Sequence, residues 1–165
     1  MIAKVLKKIA FAVVLWSGAL ALLAPVQADA MQTPTELTQM FSWWNKAFKT
    51  EGGFTREGFA RHFTEDGAIM IDGHMRVQGL DNLVAHFQGI QSRTDSVEIV
   101  LPFKEEFRSG DKIFTYHLIK SVAGEQQNLT HAMGYAEVRD GKISLIHLVR
   151  SAESDRNAVN AIFDN

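Results

Sequence analysis

Histidine titrates near neutral pH and suits general acid–base work, and this chain has six: His62, His74, His86, His117, His131 and His147. Three of them fall in a long stretch after Asp95 where apolar and polar residues alternate. If the turn near Gly124 is centred on that glycine, His117 faces His131 across two antiparallel strands. If Asp140-Gly141 forms a two-residue turn, His131 in turn faces Arg150. On that register His117, His131, Met133, Tyr135, Ile146, Leu148 and Arg150 share one face, and His147 takes the other. A one-residue bulge at the hairpin would move Arg150 off the His131 face. Two imidazoles and a guanidinium on one apolar face are costly unless they bind something: each other, an acid, water or an anionic ligand. Asp72 is the remaining candidate. It closes the apolar run Ala68-Ile69-Met70-Ile71 and reads either as a general base, if desolvation raises its pKa, or as the residue that sets the Gly73 turn. His117 and His131 offer two metal-binding nitrogens, whereas zinc wants three or four protein ligands. No HExxH or comparable spacing is present, so no metal is expected.

The elements that must position these residues come as helices first and strands second. Thr33-Pro34-Thr35-Glu36 predicts a helix start with Thr33 as cap and Glu36 closing a capping box. Leu37, Met40, Phe41, Trp44 and Phe48 then form one apolar stripe at helical spacing. Trp43 and Trp44 are adjacent, so both cannot point inward. Trp44 belongs to the stripe, and Trp43 is expected at a rim or a contact between copies. A short helix from Thr55 carries Phe59 and Phe63. A hairpin follows, Ala68–Asp72 and His74–Gln78, and then a third helix after Gly79 with Leu80, Leu83, Val84, Phe87 and Ile90 on one face. Beyond Asp95 the period changes to two, predicting a four-strand antiparallel meander over 97–107, 112–122, 127–138 and 142–151. The tail 152–165 is expected to add a short helix. Segregated helices and strands indicate an α+β domain.

The first thirty residues have the layout of a secretory signal peptide. Lys4, Lys7 and Lys8 precede an apolar run from Ile9 to Ala24, and Val26-Gln27-Ala28 and Ala28-Asp29-Ala30 both fit the cleavage rule. The apolar run is shorter than the roughly 18–20 residues a spanning helix needs. A signal peptide over 1–28, cut after Ala28 or Ala30, and a periplasmic or secreted domain without a stable membrane anchor are therefore expected. The chain has no cysteine, which excludes disulfides, thiolate chemistry and lipoprotein anchoring. Its formal net charge is −2, so it lacks the basic footprint of a nucleic-acid binder. No Gly-rich phosphate loop occurs, and cofactor-free chemistry is the expectation.

The order of these elements, with HFTEDGAIMIDGHMRVQGLDNLVAHFQGI in the first half and RDGKISLIHLVR at the finish, resembles the NTF2-like superfamily, and within it the SnoaL-like and ketosteroid-isomerase-like group. The resemblance covers about residues 33–151. It implies a cone in which three N-terminal helices pack in a curved antiparallel sheet around an apolar pocket, and it implies a homodimer. Of the three catalytic positions of ketosteroid isomerases, Asp72 matches the general base. The tyrosine position on the first helix lies nearest Trp44, and the acidic position on the penultimate strand falls near Met133-Gly134, where there is no acid. The pocket-lining positions of the last strand match Ile146, Leu148 and Arg150, which makes their face the inner one. The resemblance thus implies a small apolar ligand or substrate, Asp72, His117 and His131 as candidates for proton transfer of the isomerase, cyclase or dehydratase type, and Trp44, Tyr135 and Arg150 as substrate-binding residues. The rival expectation is a non-catalytic ligand-binding or dimeric interaction module, since fold constrains function weakly.

Overall fold

The computed structural model describes residues 33–153. The expected signal peptide over 1–28, its cleavage after Ala28 or Ala30, and the tail helix after Ser154 lie outside the described residues.

Helix α1 (Glu36–Phe48) buries the whole apolar stripe, Leu37, Met40, Phe41, Trp44 and Phe48. Its cap is Thr35, whose hydroxyl accepts from the Thr38 amide at 3.1 Å, two residues later than the expected Thr33. Glu36 therefore occupies the first helical position, where a carboxylate favours the helix dipole, and it pairs with Arg108. Helix α2 (Arg56–Ala60) starts after its cap Thr55, as the sequence predicts, and carries Phe59, but it ends before Phe63, which opens the first strand instead. Strand β1 (Phe63–Ile71), strand β2 (His74–Gln78) and helix α3 (Leu80–Gln91) follow. The third helix thus lies beyond the first hairpin, so only two helices are N-terminal to the sheet.

The expected single strand over 97–107 is two, β3 (Ser96–Ile99) and β4 (Glu105–Ser109). Pro102, which follows a cis peptide bond, supplies no amide to a ladder and interrupts the strand. Strands β5 (Lys112–Ala123), β6 (Gln126–Arg139) and β7 (Lys142–Ala152) complete a seven-stranded sheet. Its order is β2-β1-β7-β6-β5-β3, with β4 also paired to β5. The sheet is mixed rather than antiparallel throughout, because β1 and β7 run parallel.

Three long-range devices tie the helices to the sheet and to one another. Asn45 clips α1 to β3 by donating to the Ile99 carbonyl at 2.8 Å and accepting from the Ile99 amide at 2.9 Å. Gln91 donates to the Phe48 carbonyl at 2.6 Å, satisfying an orphan group at the end of α1. Trp44, Phe48, Phe54, Phe59 and Phe87 interleave with ring centroids 5.1–6.0 Å apart where they touch, a spacing at which aromatic pairs attract beyond simple burial.

Candidate functional site: an apolar cavity with a buried histidine

Helices α1 and α3 and the inner face of the sheet enclose a cavity of about 470 Å³, within the usual range for small-molecule sites. Its wall is largely aliphatic and aromatic. The polar side chains that reach it are Arg76, His86, Thr94, His117, Ser121, Thr130 and Arg150.

Strand register decides which histidine enters. Ala123 pairs with Gln126, so the β5–β6 turn is the two residues Gly124-Glu125, and His117 faces Ala132 rather than His131. The expected centre on Gly124 was half a residue short. Because side chains alternate, that slip moves every odd-numbered residue of β6 to the other face. His131, Met133 and Tyr135 accordingly lie on the outer face. The Asp140-Gly141 turn is two residues long, with Arg139 opposite Lys142. A bulge then intervenes between Glu137 and Val138, and it places Arg150 opposite Ala132. His117, Ile146, Leu148 and Arg150 therefore share the cavity wall.

His117 is fully buried. Its ring lies between Phe41 and Phe103, with centroids at 5.5 and 5.2 Å. Nδ1 meets the Thr115 hydroxyl at 3.1 Å, whereas Nε2 is buried without a hydrogen-bond partner. Burial pushes its pKa down to about 4, so the ring is neutral at physiological pH. A neutral imidazole presents one acceptor and one donor. With one nitrogen engaged by Thr115, the other is left without a partner in a residue that lines the cavity. The Trp44 indole N–H is also buried and unpartnered, and Trp44 lines the same wall.

Asp72 does not line the cavity. It sits in a left-handed turn conformation, φ 55°, and its amide donates to the Leu148 carbonyl at 2.9 Å. Its Oδ1 accepts from the Arg150 amide at 2.8 Å, and its other oxygen lies 3.4 Å from the Arg150 guanidinium. The side chain stands in for the next carbonyl of the β1–β7 ladder, which is the turn reading of the residue. His131 works outside the cavity as well. The Tyr116 hydroxyl lies 2.7 Å from its Nδ1 and a Glu153 oxygen 2.6 Å from its Nε2. Tyr135 lies 3.4 Å from His147 on that outer face. Among the described residues no group of His, Asp and Glu side chains gathers as a metal site.

Sequence reasoning missed Arg76 and His86. Arg76 lies beside the β1–β2 bulge that follows Ile69, which local periodicity does not mark. His86 was visible on the third helix, but only tertiary packing turns it toward the cavity. Burial and the neighbouring guanidinium groups of Arg93 and Arg76 lower its pKa.

No protein-family model and no curated relative matches the sequence. The structure is similar to an NTF2-like protein of unknown function from Exiguobacterium sp. 255-15, at 15% identity and a TM-score of 0.57, over 72% of this chain and 98% of that one. It is also similar to a candidate SnoaL-like polyketide cyclase from Jannaschia sp. CCS1, at 13% identity and a TM-score of 0.55, over 76% of this chain and 86% of that one. A third similar structure is a hypothetical protein of ketosteroid isomerase-like fold from Catenulispora acidiphila DSM 44928, solved with trimethylamine, at 12% identity and a TM-score of 0.52, over 68% of this chain and 84% of that one. At these identities the likeness concerns the fold, and the fold of this chain is NTF2-like.

Proposed function

We propose that this chain is an exported domain that binds a small, largely apolar molecule in the cavity and engages one polar group of that molecule through His117. The observation that carries this reading is the buried, unpartnered Nε2 of His117 in a largely apolar wall. An orphaned buried polar atom costs about 1–3 kcal/mol, and a ligand hydroxyl or carbonyl removes that cost on binding. Burial keeps the imidazole neutral, so it meets a ligand as a hydrogen-bonding group rather than as a charge. Cofactor-free proton transfer of the isomerase, cyclase or dehydratase type is the second reading. It draws on the same neutral imidazole, and it needs a ligand whose developing negative charge lifts the pKa. Export rests on the sequence of the first thirty residues, and N-terminal sequencing of the mature protein tests it. A homodimer rests on the family resemblance, and sedimentation tests it.

The binding test is a thermal-shift screen of one- to three-ring hydroxyl and carbonyl compounds. Hits should lose about tenfold in affinity in His117→Leu, the scale of one hydrogen bond at about 1.4 kcal/mol, while hydrocarbons of the same shape bind both forms alike. Failure of every compound, or equal affinity for the variant, would refute the reading.

A further inference from the structure

The margin of the cavity carries a charge pattern that an apolar ligand alone does not need. Arg76 from β2 and Arg150 from β7 both line it while remaining exposed, and His86 lies partly buried between solvent and wall. No aspartate or glutamate lines the cavity. Among the described residues Arg76 has no ion-pair partner, and the only pairing of Arg150 is the long 3.4 Å contact with Asp72. Arg93 and Arg76 both act on the His86 ring electrostatically, so several guanidinium groups gather on this side, with Asp72, among the described residues, as the one acid paired to either arginine of the cavity margin.

We propose that the ligand is an apolar carboxylic acid bound as its anion, with its ring or chain body in the cavity and its carboxylate at the margin between Arg76 and Arg150. This rests on the cavity-binding reading above and adds the headgroup to it. Arginine suits the role, because its planar fork matches both carboxylate oxygens and it is weakly hydrated for a cation. The geometry also gives Asp72 a part. Its carboxylate competes for the Arg150 guanidinium, so neutralising Asp72 strengthens the site. The rival explanation is that the arginine stems merely cover apolar surface and hold their charges in water.

Calorimetric titration with matched pairs separates the two. The probes are benzoate and benzamide, 2-naphthoate and 2-naphthamide, and anthracene-9-carboxylate and its carboxamide. In at least one pair the carboxylate is expected to bind about tenfold more tightly than the amide, with the advantage shrinking as salt rises. Arg76→Gln and Arg150→Gln should each reduce that ratio about three- to tenfold, and Asp72→Asn should raise it about two- to fivefold. Circular dichroism of each variant establishes that it is folded. Equal binding of acid and amide overturns the headgroup proposal and leaves the cavity reading standing. A ratio that survives both arginine substitutions also overturns it. Binding of neither member of any pair overturns the cavity reading, and this one with it.

Discussion

Thr115 Oγ1 lies 3.1 Å from His117 Nδ1, two residues along the same face of β5, and both side chains are buried. That contact satisfies one ring nitrogen and leaves the other buried without a partner. Thr115→Val keeps the shape and removes the hydroxyl, so Nδ1 is stranded in the core. A loss of about 1–3 kcal/mol is expected, read as a fall in the urea midpoint. The double variant with His117→Leu should cost less than the sum of the single variants, because neither orphan then remains.

Acid should destabilise the fold through His117. The unfolded ring binds a proton near pH 6.5, and the folded ring does so only near 4. Between those values the unfolded state holds more protons, so stability rises with pH. The stability contributed by the neutral buried ring is complete above pH 6.5 and is lost as pH falls to 4, a change of about 3 kcal/mol. His62 and His86, whose pKa values burial also lowers, act in the same direction. Urea unfolding from pH 7 to pH 4 should therefore show a steeper decline for the wild type than for His117→Leu. Parallel curves would mean that His117 takes up its proton as readily in the fold as in the unfolded chain.

Asp72 serves as a turn and ladder residue, and its substitutions should sort by backbone rather than by charge. Asparagine tolerates a φ of 55° and retains an oxygen to accept from the Arg150 amide, so Asp72→Asn should change stability by no more than about 0.5 kcal/mol. Valine resists that backbone region and offers no acceptor. Asp72→Val should cost about 2 kcal/mol or more, measurable as a lowered Tm.

Gly134 stands where β6 passes β7 closely. A Cβ added there would lie 2.0 Å from the His147 carbonyl oxygen and 2.9 Å from Leu148 Cα. Both neighbours are backbone and cannot rotate away. Gly134→Ala should force the two strands apart and cost about 3 kcal/mol or more, with loss of the cooperative thermal transition as the extreme result.

The helices and the hairpin were legible because their signals are local. The Leu37–Phe48 stripe, the Thr55 cap and the Gly79 break all act within a few residues. His117 and Arg150 share the inner face as expected, but His131 and Tyr135 do not, since the placement of β6 depends on a turn whose centre lies half a residue beyond Gly124. The bulge before Val138 has no composition of its own to mark it. The parallel pairing of β1 with β7 joins segments far apart in the chain, and neither announces its partner. Arg76 was invisible for the same reason, because the cavity margin is assembled from β2 and β7, which meet only through β1.

That parallel pairing bears on when the domain can fold. Strand β7, the last of the described strands in chain order, lies inside the sheet between β1 and β6, and its contacts with β1 reach from Phe63 to Ile143 and from Ile71 to Leu148. A chain stopped after Arg139 would hold two half-sheets with no strand to join them, and it should show no cooperative unfolding transition. Contacts of such sequence separation form late and slowly. A nascent chain of this topology therefore stays uncommitted until β7 has emerged to join the two half-sheets.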